Sequence, residues 1–295
     1  MKRFVPRIAI TNISVVRAII VAIFSLAAVS NAAAAQLYGI ENDTGNLYRI
    51  STADAALSLV GNTGISNLGS LEYRPSNGLL YGIRSQLIDG HLAGSLYRIN
   101  PANASATLVG LLGPENVGEG GLVIATDGTA YATQMNFSDN PTLFKINLDT
   151  AATTTVGTIS GGNHDINGLA WRSDNMLVGL DRVTNSLLVI NPSTAASSVI
   201  AAVSSPVGAV GGMAAIGDSG YFSTSGPIVP GASNSLYSFN LNSGAHTLIG
   251  SFAPTISGFG IGGLALVPEP ASVTLAALAI VPLFLLRRRS QLKTR

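Results

Sequence analysis

The chain has 295 residues, no cysteine, and 16 basic against 15 acidic residues, a formal net charge of +1. The lack of cysteine excludes disulfides as a source of stability. Nine of the bases lie among the first 17 and last nine residues, so residues 36–270 hold seven bases against 15 acids, a net charge of −8. Such an acidic segment lacks the basic patch that nucleic-acid binding requires, and we expect no nucleic-acid partner.

Residues 1–35 have the order of a secretory signal peptide. Four basic residues precede the apolar stretch at residues 18–29: Lys2, Arg3, Arg7 and Arg17. Ala33 and Ala35 then provide the small residues of a cleavage site before Gln36. The pattern predicts an N-terminal signal helix, export, and a mature domain over residues 36–267.

The mature domain is a series of internal repeats. The motif LYGI at residues 37–40 recurs at 80–83, and NLYRI at 46–50 recurs as SLYRI at 95–99, with looser copies further on. Each successive unit opens with a small residue, often glycine, followed by Leu or Met. These openings lie at Ser70, Gly121, Gly168, Gly212 and Gly263, with spacings of 51, 47, 44 and 51 residues. A fixed period of this length is typical of repeat architectures.

Each unit contains four short apolar or alternating runs separated by turn residues, and no sustained helical periodicity occurs between residues 36 and 267. Four strands per unit at this period predict an all-β, five-bladed β-propeller with four-stranded antiparallel blades. The first unit lacks its first strand, and the last opening strand has no blade after it. We therefore expect Gly263–Val267 to pair beside Leu37–Ile40 and close the ring.

The sequence pattern of these repeats resembles that of uncharacterised propeller-like repeats of bacterial exported proteins. The pattern is LYGI, then TG-x-LYRI, then A-x-LVG. That resemblance covers nearly the whole mature domain. It implies a fold and no known activity.

Most Asp and Asn residues fall at equivalent turns of the repeat. The turns between first and second strands carry Asn77, Asp127, Asp174 and Asp218, and those between third and fourth strands open with Asn100, Asn147, Asn191 and Asn240. The protease-like sequence GDSG at 217–220 is such a turn, with no His/Asp pair placed to activate its serine. The glycine pattern at 258–263 precedes a strand and not a helix, which excludes the dinucleotide-binding mechanism.

The remaining polar residues collect in two connections, from second to third strand and from fourth strand to the next blade, which open on one face of a propeller. The second strands end in a variable column: Glu41, Arg84, Gln134, Asp181 and Thr224. We expect ligand binding, if present, to use Glu41, Arg84, Asp89, His91, His164, Asp165 and Asp181. As exposed loop residues, Asp181, Glu41 and His164 should tolerate replacement by alanine within about 0.5 kcal/mol.

No cofactor is predicted, but a divalent cation such as calcium remains possible. His164 and Asp165 with Asp89 and His91 provide ligand types for such an ion, and propeller hydrolases use a cation at the channel mouth. The alternative is that His91 and His164 are ordinary exposed loop histidines. His246, on an outer strand, is expected to be structural.

The C-terminus resembles a PEP-CTERM sorting signal. Val267, Pro268, Glu269 and Pro270 are followed by the apolar run 271–286 and by an arginine cluster, Arg287, Arg288 and Arg289. The resemblance implies an exosortase-type processing protease as partner and initial anchoring in the inner membrane by a C-terminal transmembrane helix. The run of 16 residues rises about 24 Å, shorter than the roughly 30 Å hydrocarbon core, which favours transient anchoring.

Together these features predict an exported, non-catalytic binding or structural propeller of the cell envelope, surface or surrounding medium. PEP-CTERM proteins as a group are associated with exopolysaccharide, so an extracellular polysaccharide is the implied partner. The alternative is a metal-dependent hydrolase or lactonase with its site at the channel mouth. Ice binding is disfavoured, because residues 153–155 are the only threonine run.

Overall fold

The computed structural model describes residues 35–268 apart from 89–90, 116, 135–139, 163, 204–209, 225–233, 253–254 and 257. Residues 36–267 form one compact unit. The predicted signal helix, the C-terminal helix, Ala33, Glu269, Pro270 and Arg287–Arg289 lie outside the described residues. Within the described part of the chain, no helix has the length and apolar character needed to cross a membrane.

The described residues form five four-stranded sheets, which confirms the predicted five-bladed propeller. From the innermost strand outward, blade 1 contains β20 (Ile261–Pro268), β1 (Ala35–Glu41), β2 (Asn46–Ile50) and β3 (Leu57–Asn62). Blade 2 contains β4 (Glu72–Arg74), β5 (Leu79–Ile88), β6 (His91–Ile99) and β7 (Ala106–Glu115). Blade 3 contains β8 (Val117–Ile124), β9 (Ala130–Gln134), β10 (Thr142–Ile146) and β11 (Thr153–Thr158).

Blade 4 contains β12 (Ile166–Trp171), β13 (Leu177–Asp181), β14 (Ser186–Ile190) and β15 (Ser197–Ala202). Blade 5 contains β16 (Val210–Ile216), β17 (Ser219–Thr224), β18 (Ser235–Asn240) and β19 (His246–Ser251). In blade 1, β20 lies beside β1, so the C-terminal strand completes the N-terminal blade as the offset of the repeats predicted.

The hydrophobic core is divided into five layers, one at each junction between blades. The layer between blades 2 and 3, for example, joins Tyr81 and Leu96 to Leu122 and Phe144. Such layers form because alternate residues of every strand face opposite neighbours, so that each blade buries both of its faces.

The turns between third and fourth strands form as predicted. Each opening asparagine accepts a hydrogen bond at its Oδ1 from the backbone N–H two residues later, at 2.8–2.9 Å, in Asn100, Asn147, Asn191 and Asn240. These Asx turns replace backbone pairing where the chain reverses.

Each outermost strand carries a β-bulge at the same step. In blade 1, Leu47 pairs with Gly61 and Tyr48 with Leu59, which leaves Val60 as the extra residue. The same step recurs in the other four blades. The extra residue is partly buried against the junction layer: Val60, Val109, Val156, Ile200 and Ile249.

The innermost strands meet closely around the central channel. A Cβ on Gly263 would lie 2.5 Å from the backbone nitrogen of Leu71, and one on Gly121 would lie 2.7 Å from that of Leu169. Side chains at these positions would therefore push the blades apart. Between these strands the channel has room for about one water molecule.

Candidate ligand-binding face

The loop face is defined here as the end of the propeller where second strands end and first strands begin. It carries the variable column and the connections that the sequence singled out. All five residues of the column lie in described strands. The contacts of Glu41, Arg84 and Asp181 show which of their polar groups are already engaged by the protein.

Asp181 ends β13 and is completely buried. Its Oδ1 accepts hydrogen bonds from the backbone N–H groups of Asp165, at 2.9 Å, and Val183, at 3.1 Å. Its Oδ2 accepts hydrogen bonds from the Thr184 hydroxyl and, at 2.8 Å, from His164 Nδ1. Burial alone would raise the pKa of Asp181, but these four donors hold the pKa below its ordinary value.

His164 is also buried, with 4% of its surface exposed. Its Nδ1 faces Asp181, and its Nε2 lies 3.2 Å from the carbonyl oxygen of Ser160. Both partner atoms are acceptors, so both ring nitrogens are engaged by the protein itself. His164 therefore acts as a link between the end of β13 and the connection that leads into β12.

Asp165 forms an ion pair with Arg182, the residue that follows Asp181 in the chain. Its Oδ2 accepts hydrogen bonds from Arg182 Nε at 2.8 Å and Nη2 at 2.5 Å, and Arg182 N donates to the Asp165 carbonyl oxygen at 2.9 Å. Asp165 Oδ1 is buried and has no hydrogen-bond partner among the residues that the structure describes. Asn167, on the channel wall, has a buried Oδ1 in the same state.

Glu41 ends β1 and is 5% exposed. Its Oε2 accepts hydrogen bonds from Thr44 Oγ1 at 2.6 Å, Asn46 Nδ2 at 3.0 Å and Tyr48 OH at 3.3 Å. Thr44 follows Glu41 by three residues, as Thr184 follows Asp181. Both carboxylates therefore brace the turn from second to third strand.

The expectation that Glu41, His164, Asp165 and Asp181 are exposed loop residues is wrong, since each is at most 5% exposed. The physical reason is that a carboxylate at a strand end satisfies the free N–H and hydroxyl groups of the following turn. Sequence reasoning missed the partners Thr44, Thr184 and Ser160. A threonine three residues after the acid was the available signal for two of them.

The predicted cation ligands are brought together only in part. Asp89 and the side chain of His91 lie outside what the structure describes. Among the described side chains, no group of three or more His, Asp or Glu residues could hold a metal ion. His164 and Asp165 are adjacent, but the ring of His164 is directed to Asp181 and Ser160.

Arg84 differs from the rest of the column. The sequence placed it at the end of its strand, but β5 continues to Ile88 and pairs with β6 along its full length. The side chain of Arg84 is half-buried. Its Nε is buried without a partner, and the guanidinium makes no hydrogen bond or ion pair with any described residue.

A family model described as "Repeat of unknown function (DUF6923)" matches residues 57–226. No curated protein sequence matches the chain.

Matching solved structures include a nidogen/laminin complex, at 13% identity over 79% of this chain and 98% of that one, with a TM-score of 0.49. TolB from Acinetobacter baumannii matches at 10% identity over 77% of this chain and 56% of its own, with a TM-score of 0.45. A periplasmic gluconolactonase from Pseudomonas aeruginosa matches at 15% identity, over 72% and 66%, with a TM-score of 0.44.

Proposed function

The chain belongs to the DUF6923 repeat family, and we propose that its propeller is a non-catalytic module that binds a ligand on the loop face. The observation that carries this proposal is which polar groups of the loop face already have partners within the protein. His164, Asp165 and Asp181, which are suited to acid–base chemistry, are engaged internally, whereas the guanidinium of Arg84 has no partner among the described residues.

Catalysis of hydrolysis needs a base or nucleophile that can reach the substrate. His164 and Asp181 bind each other and the surrounding backbone, and Asp165 is held by Arg182. The narrow channel between the inner strands has room for only about one water molecule, so a substrate would have to remain outside it. These features favour binding over turnover.

The cellular setting is part of the same proposal. We infer export by the signal peptide, sorting by the PEP-CTERM-like tail with an exosortase-type protease, and anchoring in the inner membrane before processing. The final location is then the cell envelope, the outer surface or the medium, with extracellular polysaccharide as the partner. The support is the order of sequence elements at the two termini.

One observation favours a second candidate, the metal-dependent hydrolase or lactonase. Asp165 Oδ1 and Asn167 Oδ1 are buried oxygens without hydrogen-bond partners, and oxygen ligands are those that calcium prefers. Elemental analysis of the purified chain, before and after dialysis against a chelator, tests this candidate. Stoichiometric metal that is lost together with lactone hydrolysis would replace the binding proposal.

The binding proposal is tested with polysaccharide prepared from the producing cells. The full-length chain should be retained on immobilised polysaccharide, and an excess of the soluble polysaccharide should release it. A triple variant, Arg84→Met with Thr63→Ala and Asn67→Ala, alters Arg84 together with the connection from β3 in blade 1 to β4 in blade 2, which carries Thr63 and Asn67. Equal retention of this variant and the wild type would remove this part of the face as the binding site.

A further inference from the structure

Arg84 is a cation without a counter-ion among the described residues of a domain that has an excess of acids. Three other arginines on the described surface each pair with a carboxylate: Arg74 with Asp149, Arg172 with Asp174 and Arg182 with Asp165. Arg84 makes no such pair within the described part of the chain, although acidic residues outnumber basic residues about two to one between residues 36 and 270. A shortage of available acids therefore does not explain its unpaired state.

An unpaired, half-buried guanidinium is costly. Arginine cannot lose its charge at physiological pH, and a buried N–H without an acceptor forfeits its hydrogen bonds to water. Arg84 Nε is buried in this way. Because Nε is closed to solvent, a ligand acceptor would bind the terminal Nη1 and Nη2 groups of the same guanidinium.

The backbone around Arg84 is held in place by a series of hydrogen bonds. Arg84 forms a β-bridge with Leu68, and Ser85 N donates to Asn67 O at 3.1 Å. Asn67 N donates to Asn42 O at 2.7 Å, and Asn42 N donates to Gly260 O at 3.0 Å. This series ties the backbone of Arg84 to blade 1 and to Gly260, the residue before β20, so the main chain that carries the cation is held in place before a ligand arrives.

We propose that Arg84 is the anchor of a binding site for a carboxylate group of the ligand. A guanidinium binds a carboxylate through two parallel hydrogen bonds, which matches a planar monoanion. Sulfate and phosphate also suit arginine, and the test below distinguishes them from a carboxylate. Applied to the proposed function, on which this inference rests, the ligand is an acidic saccharide that carries uronic acid units.

Calorimetric titration of the full-length chain tests the site with four probes: oligogalacturonate, a neutral oligosaccharide of the same length, sodium sulfate and sodium phosphate. We expect oligogalacturonate to bind and to weaken with added salt. Arg84→Met should weaken this binding by about tenfold or more, as expected for loss of a charge-assisted pair. Arg98→Met is the control, because Arg98 is an exposed arginine on the neighbouring strand β6.

Thermal unfolding provides a second readout without ligand. Because Arg84 is an unsatisfied cation, Arg84→Met should leave the melting temperature unchanged or raise it, while oligogalacturonate should raise that of the wild type alone. Equal binding of oligogalacturonate by wild type and Arg84→Met would overturn the proposal, as would binding of sulfate or phosphate in preference to it. If the wild type binds only neutral saccharide, the carboxylate site is wrong but the binding function stands. If it binds neither these probes nor the cell polysaccharide, both are wrong.

Discussion

Ala201 on the outer strand of blade 4 contacts Gly244 in a turn of blade 5, and this pair is the reverse of the glycine–alanine pair found at the other four blade junctions. At the other junctions, a glycine on the outer strand faces an alanine in the next blade's turn, and that alanine has a left-handed backbone conformation with φ near +60°. The pairs are Gly61 with Ala104, Gly110 with Ala151, Gly157 with Ala195 and Gly250 with Ala55. At the junction of blades 4 and 5 the alanine is on the outer strand and the glycine is in the turn. A Cβ on Gly244 would lie 3.2 Å from that of Ala201. Every junction therefore contains one methyl group.

The first prediction concerns this pair. Gly244→Ala adds a second methyl group and places alanine at φ +69°, so we expect a loss of about 2 kcal/mol in unfolding free energy. Ala201→Gly in the same chain removes the crowding and restores the arrangement of the other junctions. The double variant should therefore be more stable than Gly244→Ala alone. Denaturant titration of all four chains measures the coupling, and simple additivity would contradict the one-methyl arrangement.

The second prediction concerns ring closure. A chain ending at Gly258 lacks β20, and with it Ile261 and Leu264 of the layer between blades 5 and 1. It should lose cooperative unfolding, because closure joins strands from both ends of the sequence. A chain ending at Pro268 retains β20 and serves as the control. Identical melting curves for the two chains would show that closure contributes little.

The third prediction concerns Glu72, which lies on β4 where the other blades carry Ala265, Val123, Ala170 and Ala214. Burial raises the pKa of Glu72 to about 8, although the backbone N–H of Tyr73 opposes this by donating to Oε1 at 2.9 Å. The folded state therefore holds a proton that the unfolded chain, with a pKa near 4.5, releases.

Stability that depends on this proton is complete below about pH 4.5 and is lost as the pH rises towards 8. Glu72→Ala and Glu72→Gln should both reduce this decline, and Glu72→Ala should be more stable than wild type at pH 8. Denaturant midpoints at half-unit pH intervals measure the effect. The same slope in all three proteins would show that Glu72 does not titrate across this range.

The fourth prediction concerns Asp181. Asp181→Ala leaves His164 and the N–H groups of Asp165 and Val183 without their acceptor, so we expect a loss of about 3 kcal/mol. Val183→Ala is the matched control in the same turn, because Val183 is 51% exposed, and it should change stability by less than about 0.5 kcal/mol.

The pH dependence of Asp181 has the opposite sign to that of Glu72. Its pKa is lowered by its donors, so its contribution is present above the ordinary value of 3.8 and is lost as the pH falls below that value. Asp181→Asn should therefore lose less stability between pH 4 and pH 2 than wild type. An equal loss in both proteins would remove Asp181 from the acid response.

The fifth prediction concerns processing. We expect cleavage after Ala35 and a second cut beside residues 267–270, because the apolar run is too short for a stable anchor. Mass spectrometry of the protein recovered from its native host measures both ends. Mature protein that retains residues 271–295 would indicate a permanent anchor.

The repeats made the fold predictable. Periodic small residues before Leu and the motif copies fixed the number of blades, and the offset between Leu37 and Gly263 fixed the closure. The state of the loop face was not predictable in the same way. Glu41 and Arg84 occupy the same column of the repeat alignment. Only the three-dimensional contacts show that Thr44 and Asn46 bind Glu41, while no described residue pairs with Arg84. The exchange at Ala201 and Gly244 is visible in sequence only after the junctions are known.

The bulge in the five outer strands affects how neighbouring molecules can meet. An outermost strand presents unpaired backbone groups, and a regular one would template pairing with a second molecule. Here the extra residue, Val60 in blade 1, interrupts that register within a strand of six residues and turns inward. Two rims therefore cannot continue a common sheet for more than a few residues. We expect this interruption to oppose edge-to-edge polymerisation at high density, even though Leu59, Leu108, Val199 and Leu248 leave apolar surface on four of the five outer strands.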